Sequence, residues 1–179
     1  MIDLSQAAET VAPLLLGYRV QTRVDGILTE VALTEVEAYS QEDPASHSYG
    51  GPRGRNTVMY GPPGRLYVYR SYGIHWCANV VCGPEGAGAA VLMRGGRPTK
   101  GRADMVRRRR RSDHLTDGPG KLCEALGIDS RHNGIDLLDR RSPVRLLAGE
   151  SPPAFVTARR IGITKAAEVE WRFIVADRR

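Results

Sequence analysis

The chain reads as a single α+β domain, and three observations lead there. Residues 18–24 and 27–39 carry strand-like apolar alternation on either side of Asp25-Gly26, a strong hairpin turn signal. Further short strand-like runs follow at 65–70, 74–82, 89–93, 144–147, 155–163 and 171–175, set apart by Gly- and Pro-rich turns. Helical patterns are few and short. With 179 residues and neither an internal repeat nor a linker, one domain over 1–179 is expected, large enough to bury a core without disulfide or metal support.

In order along the chain, residues 4–16 read as a helix that Asp3 or Ser5 caps and Gly17 ends, with Pro13 expected to confine it to its N-terminal part. The second strand of the hairpin contains Glu35-Val36-Glu37-Ala38-Tyr39. Alternation puts Glu35, Glu37 and Tyr39 on one face. Two carboxylates and a phenol, with His47 beyond a Pro-containing turn, suit acid–base chemistry. Taken alone, the same stretch fits an edge strand with a solvated acidic face.

Residues 40–64 form a long Gly- and Pro-rich loop in which Arg53, Arg55 and Asn56 are candidate phosphate contacts. Strands 65–70 and 74–82 meet at Ser71-Tyr72-Gly73. A large aromatic at such a tip is either a lone exposed Tyr or a wedge into a base stack. Arg94 ends the apolar strand 89–93 and needs a carboxylate, a phosphate or water. Residues 101–111 are helical or disordered. Gly118-Pro119-Gly120 enters a short helix, Lys121–Leu126, closed by Gly127, and a helix start of this kind can bind phosphate. No complete nucleotide-loop pattern accompanies it.

Charge is unevenly distributed. The first fifty residues carry net −6, whereas 94–111 carry net +8, within a whole-chain charge of +6. A basic segment beside an acidic pocket suits a polyanion whose backbone is held while one of its groups meets carboxylate. For Arg107–Arg111 a solvated loop is an equally good account. No apolar run is long enough to span a membrane, and the acidic N-terminus lacks a basic leader region. These features, with three cysteines in no CxxC pair, lead us to expect a cytoplasmic protein with reduced thiols.

Other chemistries fare worse. His75, Cys77, Cys82 and Cys123 match no zinc spacing, and the deaminase signature is absent. Nothing pairs a cysteine with an activating histidine, and Ser46-His47-Ser48 are neighbours whose side chains diverge. Read together, Glu37, Arg94, the aromatic residues Tyr39, His47 and Tyr69, the tip Tyr72 and the basic loops suit extrusion of a base from DNA. Flipping costs a few kcal/mol, and stacking on an aromatic wall returns about 1–3 kcal/mol.

These residues also lie in blocks that resemble a known family. Glu35–Tyr39, Ala45–Ser48, Gly64–Tyr69 with Tyr72-Gly73, Cys77–Asn79, Val91–Arg94 and Gly118–Cys123 occur in the order and spacing of the alkyladenine (3-methyladenine) DNA glycosylases. The resemblance runs from about residue 10 to the C-terminus. It implies a compact domain with a curved, mostly antiparallel sheet and a few helices. It further implies that Glu37 activates the attacking water, and that Arg94 and a backbone carbonyl, that of Ile161, help hold it.

By the same resemblance Tyr39, His47 and Tyr69 wall the base pocket, Asn79 excludes the guanine 2-amino group, and Tyr72 fills the gap left in the duplex. Met59 lines the DNA groove, and Arg53, Arg55 and Lys121 are expected to contact DNA. No metal or cofactor is implied. The implied partner is double-stranded DNA containing alkylated or deaminated purines, bound by a monomer in the bacterial cytoplasm at the nucleoid, with no membrane. Departures are the Arg density of Thr99–Thr116 and His75-Trp76 after the tip. A non-catalytic nucleic-acid module and a nucleoside N-ribohydrolase are the alternative functions.

Overall fold

The computed structural model describes residues 2–149 and 153–176. Asp25 and Gly26 both adopt left-handed φ, 52° and 77°, and close the predicted hairpin between β1 (Arg19–Val24) and β2 (Ile27–Tyr39). The remaining strands are β3 (Leu66–Ser71), β4 (His75–Val81), β5 (Ala90–Lys100), β6 (Val144–Leu147), β7 (Phe155–Ala158) and β8 (Arg172–Val175). They form one sheet in the order β3-β4-β5-β2-β1-β6. On the edge of β2 away from β5, β1 pairs as far as Ala32, then β8 pairs with Glu35–Glu37 and carries β7 outside it. Every strand pairing among the described residues is antiparallel.

β2 is therefore not an edge strand, and its carboxylates do not form a wet face. The sheet bends where β2 meets β5. Val36 opposes Met93 and Glu35 opposes Gly95, which leaves Arg94 as an extra residue on β5; Thr34 is skipped on β2 just beyond. A bulge of this kind curves a strand and re-aims the residue it contains.

One face of the sheet packs against α1 (Ala8–Leu15) and α3 (Pro119–Leu126), and α2 (Arg102–Arg109) lies against α3. Val36, Ala38, Leu66, Ala78, Val80, Val91 and Met93 bury here with Val11, Leu15, Leu122 and Leu126. Each large aliphatic removed from water contributes about 1.5–3 kcal/mol. The other face carries a smaller cluster, Met59, Tyr67, Val81 and Ala90, beneath the 40–64 loop.

Four element boundaries differ most from expectation. The first helix starts at Ala8, because Asp3 accepts from the Ser5 amide and hydroxyl in a local turn instead of capping a helix. Pro13 lies inside that helix, which continues to Leu15 because Leu15 and Leu16 are completely buried. The strand expected over 89–93 runs on to Lys100, because Gly95, Gly96 and Pro98 all find partners on β2. The strand expected over 155–163 stops at Ala158.

The arginine run is ordered. α2 buries Met105, and Arg108 donates to Ala125 O at 3.0 Å and Thr29 Oγ1 at 3.2 Å. Arg109 pairs with Glu124 and Arg107 with Asp104. Part of this positive charge holds the helices together.

Candidate active site

The sheet register assembles the site. Tyr67 opposes Asn79, Asn79 opposes Leu92, Leu92 opposes Glu37, and Glu37 opposes Arg172. Directly opposed residues share a face, so this row crosses five strands on the side away from the helices. Tyr69, opposite Cys77, and Tyr39, opposite Ala90, sit one step along the same face. Between this face and the 40–64 loop lies a cavity of about 550 Å³, lined by Tyr39, His47, Tyr69, Asn79 and Arg94 among others.

At its floor the Glu37 side chain is wholly buried and carries three hydrogen bonds. Tyr39 Oη donates to Oε2 at 2.9 Å, Arg94 Nη1 approaches Oε2 at 3.4 Å, and the Ile161 backbone N–H donates to Oε1 at 2.8 Å. Tyr39, Arg94 and Ile161 line the cavity and Glu37 lies behind them. Arg94 is held more firmly by Glu35, whose Oε1 accepts Arg94 Nε at 3.0 Å and Arg172 Nε at 2.7 Å. The cluster thus contains two carboxylates and two guanidinium groups. Such pairing keeps buried charge tolerable.

The early end of β7 explains the Ile161 contact. Beyond Ala158 the chain leaves the sheet, and Gly162, with φ +77°, turns it so that the Ile161 amide meets Glu37.

The walls are aromatic. His47 lies 4.4 Å from the Tyr69 ring, edge to face, and Tyr67 stacks on Tyr69 at 5.6 Å. His47 Nδ1 is 3.0 Å from Tyr67 Oη. Burial, then the Arg55 charge, lowers the His47 pKa below its usual value, so the ring is neutral near pH 7. Burial raises the Tyr67 phenol to about 12. Phenol O–H to imidazole N is the better acid–base match, which leaves the N–H of His47 on Nε2. Tyr39 and Tyr69 are also pushed up, first by burial and then by Glu37 for Tyr39 and by Cys77 for Tyr69. Asn79 is buried and its Nδ2 donates to Tyr67 O at 3.1 Å, which fixes its amide.

At the β3–β4 tip, Tyr72 and Gly73 both take left-handed φ, 50° and 68°, and the Ile74 amide donates to Ser71 O. Tyr72 is 86% exposed, with Ile74 beside it at 67%. Gly120 of α3 abuts the base of this hairpin so closely that a Cβ would meet His75 Cβ at 2.8 Å.

Other expected residues take varied places. Arg55 lines the cavity mouth and is exposed; Arg53 is exposed too, with Nη2 on Gly50 O. Asn56 is not a phosphate contact. It is buried, and its Nδ2 donates to His47 O at 2.7 Å, holding the loop that carries His47. Met59 is buried in the cavity wall. Lys121 pairs with Asp117 at 3.0 Å. Sequence reasoning missed Arg160, Arg172 and Tyr67 as members of this cluster. For Tyr67 the alternation shared with Tyr69 was a signal; the arginines had none. Among the described residues no group of three or more His, Cys, Asp or Glu is placed to hold a metal.

The model of a family described as methylpurine-DNA glycosylase (MPG) matches residues 3–179. The chain belongs to the methylpurine-DNA glycosylase family. It is 54% identical over 149 residues to a Rhodopseudomonas palustris CGA009 protein named "Putative 3-methyladenine DNA glycosylase", covering 82% of this chain and 71% of that one. Proteins of the same name from Nitrosospira multiformis (46% identity; 98% of this chain, 89% of the other) and Mycolicibacterium fortuitum (52%; 82% and 79%) are also similar. Family membership makes this protein a DNA glycosylase, a hydrolase of N-glycosyl bonds. Among the described residues no helix is long and apolar enough to cross a membrane. The single α+β fold with an antiparallel sheet agrees with the resemblance.

Proposed function

We propose that this methylpurine-DNA glycosylase turns a damaged purine out of duplex DNA into the aromatic cavity and hydrolyses its N-glycosidic bond with a water activated by Glu37. The observation that carries this reading is the buried Glu37 carboxylate, held from three sides by groups that line an aromatic cavity. A carboxylate has no use deep in a polyanion-binding cleft unless it meets a cation or takes a proton.

In the free protein Glu37 is sealed from solvent. Its contact with Arg94 is the longest of the three, and Arg94 keeps its Glu35 anchor if Nη1 moves. A water inserted there accepts from Arg94 and donates to Glu37. Glu37 then takes the proton as the water oxygen attacks C1′ and the base departs with the bonding electrons. General-base assistance of this kind contributes about 10²–10⁴-fold. The carboxylate also favours the positive charge that grows on the sugar. The Ile161 carbonyl, beside the amide already on Glu37, is assigned as a further water ligand.

The flipped base stacks between Tyr39 on one side and His47 and Tyr69 on the other. Cationic alkylated bases such as 3-methyladenine and 7-methylguanine gain about 0.5–2 kcal/mol from the tyrosine faces. Hypoxanthine and ethenoadenine are further candidates. Asn79, with its amide fixed, crowds a guanine 2-amino group. Tyr72 enters the gap in the duplex, and the protein acts as a monomer on double-stranded DNA.

The test is single-turnover base release from duplexes that each carry one defined lesion. Glu37→Gln is expected to bind such a duplex within a few-fold of wild type and to release base at least about 10²-fold more slowly. Full activity of that variant sinks the mechanism, and comparable activity on free nucleosides favours a nucleoside hydrolase.

A further inference from the structure

Arg160 is wholly buried in its side chain, as is nearly all of Asp43, and the two form a two-pronged ion pair, with Nη2 3.1 Å from Oδ1 and Nη1 on Oδ2. Nη1 also donates to Ala38 O at 3.0 Å and Nη2 to Ala166 O at 3.4 Å. The guanidinium carbon lies over two rings, 4.7 Å from the Tyr39 centroid and 5.5 Å from that of Trp171. The next residue along the chain is Ile161, whose amide holds Glu37.

Each of these hydrogen-bonding partners borders the reacting centre without reaching it. Ala38 is the residue between Glu37 and Tyr39. Asp43 lies early in the loop that presents His47. Ala166 closes the segment that carries Ile161. One guanidinium therefore ties the end of β2, the 40–48 loop and the 159–166 segment together behind the Tyr39 ring. A buried ion pair is a poor way to gain stability, since apolar groups of equal volume often serve as well or better. It is a good way to fix geometry, because a planar guanidinium accepts only one orientation of carboxylate and rings.

We propose that the Arg160–Asp43 pair is a positioning clamp for this reaction: it sets the Ile161 amide against Glu37 and the Tyr39 ring against the base, and it touches neither water nor substrate. The clamp rests on the reading of Glu37 given above. Misplacing a reacting group by about 1 Å can cost on the order of 10²-fold in rate, so a clamp is read in the chemical step and not in DNA affinity.

The test uses the full chain with Asp43→Asn, which is nearly isosteric, and Arg160→Lys, which keeps the charge but loses the fork and the stacking plane. Trp171→Leu, at a half-buried position, keeps the ion pair and removes one ring, and gives a milder reading where the first two fail to fold. Single-turnover release is measured at saturating enzyme, which separates the rate constant from the fraction of competent molecules, beside duplex affinity and thermal unfolding.

The expected result is a rate constant lower by about 10–10²-fold in Asp43→Asn and Arg160→Lys, and by about threefold to tenfold in Trp171→Leu. Duplex affinity stays within about threefold of wild type and the amplitude is retained. A merely structural pair lowers the melting temperature or the amplitude and leaves the rate constant at its wild-type value, and that result overturns the clamp. Wild-type rate constants in these variants beside an inactive Glu37→Gln remove the clamp alone. An active Glu37→Gln removes the reading beneath it.

Discussion

Arg94 is bound more closely to Glu35 than to Glu37: its Nε lies 3.0 Å from Glu35 Oε1, whereas its Nη1 lies 3.4 Å from Glu37 Oε2. Glu35 is thus the firmer anchor of the arginine, and in the proposed mechanism Glu37 is the end that yields to a water. Glu35 also accepts from Arg172 at 2.7 Å and ties β8 to the same point. Glu35→Gln is expected to lower single-turnover base release by about 10-fold or more through misplacement of Arg94. It is also expected to lower stability by about 1.5–3 kcal/mol, the scale for a hydrogen bond to a charged group. Release kinetics and denaturant unfolding of one preparation check both.

Tyr72 at 86% exposure makes no packing contribution that truncation would remove. Tyr72→Ala is therefore expected to change stability by less than about 0.5 kcal/mol. It should weaken the flipped state, because nothing then fills the gap in the stack. Fluorescence of a 2-aminopurine beside the lesion reads this directly. An unchanged signal on binding argues against insertion.

His47 makes folding stability depend on pH in a definite direction. Burial, then the Arg55 charge, lowers its pKa in the folded protein below the ordinary 6.5, so folding favours the neutral ring. The unfolded chain then binds more protons, and stability falls as the pH falls. The His47 contribution is complete above about pH 6.5 and is lost as the pH drops through the lower folded value. His47→Gln should flatten that acid-side decline in melting temperature, and Arg55→Gln should reduce it.

Arginines of similar sequence appearance should separate by salt titration. Arg55 is exposed at the cavity mouth, whereas Arg108 is spent on Ala125 O and Thr29 Oγ1. Arg55→Ala is expected to reduce the slope of log affinity against log salt by about one, the loss of one phosphate contact. Arg108→Ala should leave that slope unchanged and lower stability by about 1–3 kcal/mol, because buried acceptors lose their donor.

Much of this protein is legible in local pattern. The Asp25-Gly26 hairpin, the alternation that puts Glu35, Glu37 and Tyr39 on one face, and the aromatic tip at Tyr72 depend on residues within a few positions of one another. Period-two alternation and turn chemistry report them without a partner strand. The ordered blocks from Glu35 to Cys123 likewise mark the family in the sequence alone.

What only the tertiary structure decided depends on distant pairings. Whether β2 lay at an edge or in the middle of the sheet turned on β5 and β8, which pair with its C-terminal half from sequence positions far downstream. That pairing buried Glu37 and turned an ambiguous acidic strand into the floor of a cavity. It also brought Arg160 to Asp43 across 117 positions and the Ile161 amide to Glu37 across 124. The reason is physical. A charge in the interior needs a partner, but its own neighbours in sequence do not specify which, because the partner is chosen by sheet register and loop closure. The acidic strand announced chemistry, and the fold supplied the groups that hold its carboxylate in place.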